Sequence, residues 1–143
     1  GSTKGVDADI SDAVTEANLS EAVAFAKAFA ARTGAVVAIT GAIDIVANEE
    51  KAYCVFNGDP MMSSITGTGC QLSALTAAFV TANPAQPLEA ATAAVCAMGI
   101  CGQLAHERLG EKDGNSTYRN YIIDEIFHLE GETLEQLAHY RQM

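Results

Sequence analysis

The densest chemistry in this chain lies at Ser63-Ser64-Ile65-Thr66-Gly67-Thr68-Gly69-Cys70-Gln71, a polar, glycine-broken turn that runs into the apolar series Leu72, Leu75, Phe79. A helix N-terminus leaves its first N–H groups without intrahelical partners and carries partial positive charge, and glycines let an anion approach that backbone. The pattern predicts that this turn binds phosphate, with Cys70 at its mouth presented to a reacting group. A free cysteine is also a common small core residue. Cys54, Cys96 and Cys101 read that way.

The elements around the turn must position it. Asn18 followed by Glu21 resembles a capping box, and Leu19, Ala22, Val23, Phe25, Ala26, Phe29 and Ala30 give a broad apolar face ending at Gly34, which predicts a helix over about residues 18 to 33. The continuous run 35–39, Ala-Val-Val-Ala-Ile, reads as a strand covered on both faces of a parallel sheet. It ends at Thr40-Gly41, where such a strand meets a ligand crevice. Residues 43–47 and 52–56 flank Asn48-Glu49-Glu50-Lys51 as a hairpin, closed off by Asn57-Gly58-Asp59-Pro60.

A helix from Gln71 stops at Asn83-Pro84, and Pro87 opens another that runs to Gly110. Gly99 and Gly102 weaken that second helix unless a neighbouring backbone packs closely against them, and it is expected to be the most buried one. Gly114-Asn115-Ser116 predicts a turn and cap before a helix carrying Tyr118, Tyr121, Ile122, Ile126 and Phe127. A final amphipathic helix is predicted over about 133 to 142. One doubly covered strand with so few neighbours implies that more sheet belongs to it, either from a larger α/β domain or from a partner chain.

At 143 residues and 49% hydrophobic content the chain suffices for one domain or a large part of one. With 8 Lys and Arg against 18 Asp and Glu, a formal charge of −10 argues against nucleic acid or an anionic membrane as partner. A local anion site must therefore use backbone N–H groups. The four cysteines show no C-x-x-C pairing or zinc-ligand spacing, and no apolar run reaches the ~18 residues of a membrane span. A reducing cytoplasm is the expected setting, and Asn18-Leu19-Ser20 and Asn115-Ser116-Thr117 then carry no meaning as glycan sequons.

Lys4-Gly5-Val6-Asp7, the segment Ala38-Ile39-Thr40-Gly41-Ala42-Ile43-Asp44, the turn Asn57-Gly58-Asp59-Pro60, and Thr66-Gly67-Thr68-Gly69-Cys70 occur in the order and approximate spacing of the C-terminal half of the hydroxyethylthiazole kinases. The chain resembles that ribokinase-like family of thiamine salvage over nearly its whole length. Related sugar and pyrimidine kinases usually carry Asp where Cys70 stands, which favours the thiazole enzymes. The resemblance implies the C-terminal portion of a three-layer α/β/α sandwich, residues 1–143 being part of a single kinase domain. It also implies transfer of the ATP γ-phosphoryl group to the primary alcohol of 4-methyl-5-(2-hydroxyethyl)thiazole, with Mg²⁺ bridging the phosphates. By position, Thr40 would touch ATP, Gly67 would lie beside the thiazole substrate, Gly67, Thr68 and Gly69 would form the anion hole, and Cys70 would be the catalytic residue. Homotrimers with the substrate site at subunit contacts are implied too.

The sequence departs from the family at two of these motifs. Ala42 stands where the family usually has Glu after the T-G, and Asp59 where a His is common. The half of the family fold that holds most of the thiazole pocket, further ATP contacts and the acidic metal-associated residues has no counterpart in the chain, so the fragment by itself is expected to be inactive. A non-catalytic nucleotide-binding or assembly module is the alternative, and a pyrimidine kinase of the same fold a narrower one. Among the remaining polar residues, Thr40 reads equally as an ordinary turn residue and Asp44 as a solvated hairpin residue. Asn57 reads as a turn closer, Ser116 and Thr117 as a helix cap, and His106, His128 and His139 as surface or satisfied side chains.

Overall fold

The structure is a computed structural model that describes residues 14–143. Lys4-Gly5-Val6-Asp7 lies outside them. The elements run α1 (Leu19–Thr33), β1 (Val37–Ile39), β2 (Asp44–Ala47), β3 (Ala52–Val55), a 3₁₀ helix (Pro60–Ser64), α2 (Thr68–Ala82), α3 (Pro87–Glu107), α4 (Asn115–His128), α5 (Gly131–Leu137) and β4 (Tyr140–Gln142).

The four strands form one sheet in the order β1-β2-β3-β4, each pair antiparallel. Strand side chains alternate between faces, and here both faces are covered. Ile45, Ala47, Ala52 and Cys54 meet Leu19, Val23 and Ala26 of α1. Val46 and Val55 meet Leu88, Ala91, Val95, Cys96 and Ile100 of α3, with α2 and α5 residues packed around them. The result is three layers, as expected, with α1 the one helix on its side among the described residues. A third apolar cluster joins Met98, Cys101 and Ala105 of α3 to Tyr118 and Ile122 of α4 and to Ile65, just ahead of the turn.

Four expectations need correction. The 35–39 run forms a strand, but its neighbour β2 is antiparallel and Ala38 is exposed, because β1 is an edge of the described sheet. The final helix stops at Leu137 and residues 140–142 turn back as β4 along β3. The cause is Asn57, whose side chain accepts the His139 N–H at 2.7 Å and donates to the Leu137 carbonyl at 3.0 Å, ending the helical ladder there. Asn18 does occupy the N-cap of α1, but its carboxamide oxygen accepts from the Thr15 N–H at 2.7 Å rather than closing a capping box. Ser116 and Thr117 lie inside α4, whose N-cap is Gly114, with no side-chain cap.

Helix α3 is the most buried of the described helices, as predicted. Over an 18-residue window its mean hydropathy of 1.4 is high enough, and its 21 residues long enough, to cross a membrane, contrary to the reading of the apolar runs. However, 78% of that window is buried inside the fold, as for a core helix. Its glycines are explained by close approach. A Cβ on Gly99 would fall 2.7 Å from the Asn57 backbone, and one on Gly102 would strike the Met62 sulfur.

Candidate active site

Strand directions put Thr40 and the start of the connection to the 66–70 turn at one end of the sheet. Antiparallel pairing of β1 with β2 and of β2 with β3 makes β1 and β3 run the same way, and the register Ile39↔Ile45 with Asp44↔Val55 puts their carboxyl ends together. Thr40 leaves β1 at that end, and the connection from β3 to the 66–70 turn departs from it. Ligands of open α/β folds bind beyond the carboxyl ends of strands.

Helix α2 begins at Thr68, three residues earlier than predicted, so Thr68, Gly69 and Cys70 make up its first turn. Gly67 is the N-cap at φ 98°, a left-handed conformation that favours glycine. Its carbonyl accepts the Gln71 N–H at 3.0 Å, the first helical bond. No side chain caps this end and no acidic residue lies in its first turn. The leading N–H groups are thus presented outward with the positive end of the helix behind them. An added Cβ on Gly69 would meet nothing within 4 Å, which leaves open space over the backbone. Cys70 is exposed, whereas Cys54, Cys96 and Cys101 are buried free thiols. Burial pushes Cys96 up to about 11 and Cys101 up to about 12, so both are inert protonated core residues.

Thr40 is exposed, and its loop is held by Asp44, whose Oδ1 accepts the Gly41 N–H at 2.8 Å. Asp44 is not the solvated residue it resembled in sequence. Burial raises its carboxyl to about 6, against the opposing pull of the Gly41 hydrogen bond, and its charge adds to the burial that lifts Cys96. The spacing Gly41-x-x-Asp44 was the available signal, since a short acidic side chain often closes a turn onto nearby backbone N–H groups. Ala42 is exposed beside it.

Asn57 was also misread. It is buried at 8% exposure and fully bonded, its Nδ2 reaching Gln103 Oε1 and the Leu137 carbonyl at 3.0 Å each and its Oδ1 taking the His139 N–H. Nothing in its local sequence signals this, because every partner lies 46 or more residues away. His106 is satisfied, as expected, by Asp59. Among the described residues no group of three His, Cys, Asp or Glu could hold a metal ion.

The profile of the Hydroxyethylthiazole kinase family matches residues 1–132. A hydroxyethylthiazole kinase of Clostridium acetobutylicum is 63% identical over 140 residues, 98% of this chain and 51% of the relative, in its C-terminal half. One of Ruminiclostridium cellulolyticum is 39% identical over 142 residues, 99% of this chain and 50% of that one. The solved structure of a hydroxyethylthiazole kinase from Pyrococcus horikoshii superposes with a TM-score of 0.79 at 30% identity, over 90% of this chain and 48% of its own. The chain spans about half the length of the relatives it matches, and its three layers are the C-terminal portion of the ribokinase-like sandwich. On its match to the family profile and its likeness to these relatives, the chain belongs to the hydroxyethylthiazole kinase family.

Proposed function

We propose that the chain is the C-terminal part of a single ribokinase-like kinase domain, and that it supplies the phosphate-binding turn for transfer of the ATP γ-phosphoryl group to 4-methyl-5-(2-hydroxyethyl)thiazole. The observation that carries this reading is the uncapped N-terminus of α2, with Gly67 at φ 98°, no acidic residue in the first turn, and Cys70 exposed beside it. Family membership supports a kinase and hence a nucleotide substrate.

In this reading the alcohol oxygen attacks the γ-phosphorus, the bond to the β,γ-bridging oxygen breaks, ADP departs and the alcohol proton is released. The transition state is loose in most analyses, so positioning and charge stabilisation matter more than a strong base. The N–H groups of the first turn of α2 stabilise the negative charge on the transferring oxygens. Cys70 contacts the reacting alcohol and orients it, helpful rather than indispensable. Gly67 lies beside the thiazole, and Thr40 contacts the nucleotide. Mg²⁺ accompanies phosphoryl transfer in general, yet the described residues offer no cluster to hold it. The reading also carries a cytoplasmic homotrimer, for which Phe25 and Phe29 on α1 and Ile123 and Phe127 on α4 are exposed apolar surface.

The test is ADP release by the full-length protein with and without the thiazole alcohol. Alcohol-dependent turnover that falls about 10²-fold in Cys70→Ala, without being abolished, is expected. A folded full-length protein with no alcohol-dependent turnover would sink the assignment.

A further inference from the structure

The turn is delivered to its place by the connection 59–65, which is fastened at both ends. At its start Asp59 does two jobs. Its Oδ1 accepts the Met61 N–H at 2.8 Å as N-cap of the 3₁₀ helix, and its Oδ2 stands 2.6 Å from His106 Nδ1 on the last turn of α3. The Asp59 side chain is 15% exposed and that of His106 51%, so the pair sits at the surface over a buried base. That base is Tyr118, which meets the His106 ring edge-on at a centroid distance of 6.0 Å. Its hydroxyl donates to the Gly102 carbonyl at 2.9 Å. Met62 lies against Gly102. At the other end Asn115 Nδ2 donates to the Ser64 carbonyl at 3.0 Å, and Ile65 is buried against the α3 and α4 core. Only Thr66 separates that anchor from Gly67.

We propose that Asp59 and His106 are positioning residues for the phosphate-binding turn, tying the start of the 59–65 connection to the end of α3 so that the N–H groups of the turn keep one orientation. The proposal rests on the reading of the turn as a phosphate site. It assigns a role to Asp59, the residue that departs from the His common in the family. A carboxylate at this position can do what one neutral imidazole nitrogen cannot: accept a backbone N–H and an imidazole N–H at once, on separate oxygens. A side-chain contact with one half-exposed partner contributes little to global stability. Its removal therefore separates positioning from folding.

Hydrogen–deuterium exchange of the full-length protein tests this, with His106→Ala, Asp59→Asn and the exchanged pair Asp59→His with His106→Asp. In His106→Ala the amides of 61–70 are expected to exchange about fivefold faster while those of β2 and β3 are unchanged. Affinity for inorganic pyrophosphate, read by calorimetry, should fall by a similar factor. Asp59→Asn, whose carboxamide can still accept the Met61 N–H and donate to His106 Nδ1, should be milder than His106→Ala, and the exchanged pair should recover part of the protection. Unchanged exchange at 61–70, or acceleration spread equally over β2 and β3, overturns the proposal. Failure of the unsubstituted protein to bind either pyrophosphate or ATP would remove the phosphate reading, with the exchange pattern still deciding whether the pair anchors the turn.

Discussion

Replacing Asp44 by Asn should stabilise the protein near neutral pH, and the gain should vanish in acid. Burial lifts this carboxyl from 3.8 to about 6 in the fold. Between those values the folded state holds a proton that the unfolded state has released, so the contribution of Asp44 to stability is fully present below about 3.8 and is lost as pH rises through about 6. At 1.36 kcal/mol per pH decade the loss by pH 7 amounts to about 3 kcal/mol as an upper figure, and residual solvent access at Asp44 lowers it to about 1–3 kcal/mol. An Asn side chain has the same shape, keeps an oxygen to accept the Gly41 N–H, and has no charge to desolvate. Urea unfolding followed by circular dichroism from pH 4 to pH 7.5 measures the difference directly. The advantage of Asp44→Asn should grow with pH and level off above about 6.5. A difference that does not change with pH, or a variant less stable than the parent at pH 7, would refute the argument that burial dominates at this carboxyl.

Other consequences are simpler to read. Gly99→Ala should cost about 1–3 kcal/mol, seen as a lowered Tm, because its Cβ would press on the Asn57 backbone at 2.7 Å. Asn57→Ala should cost a similar amount, about 1–3 kcal/mol, and release β4: exchange at 139–143 should rise more than at β2, since the His139 N–H and Leu137 carbonyl lose their partner. In the native protein a thiol reagent should modify Cys70 rapidly and Cys54, Cys96 and Cys101 only on denaturation, and Cys70→Ala should abolish the rapid phase.

The elements read correctly in advance are those whose signals are local. Gly34 at φ 67° ends α1, Pro87 opens α3, and Asn48 folds the hairpin by accepting the Glu50 and Lys51 N–H groups. In the same way, glycines ahead of an apolar helical run marked the 66–70 turn, because uncapped N–H groups and a left-handed N-cap follow from short-range backbone geometry. The composition of the 35–39 run showed a strand but not its neighbours, since strand pairing is a contact between distant segments. The direction of β1's neighbour and the edge position of β1 came only from the tertiary structure. So did the fate of residues 138–142, whose amphipathic spacing fits a helix until the Asn57 side chain and the open edge of β3 claim their backbone groups. Asn57, Asp59 and His106 look like ordinary turn or surface residues in one dimension. Their roles arise from burial and from partners up to 82 residues away, which no spacing within the chain encodes. Thus the glycine turn and helix start at 66–70 were legible from residue types alone, while the contacts of Asp59 with His106 and of Asn115 with Ser64 that fasten the preceding connection exist only where α3, α4 and the end of β3 meet.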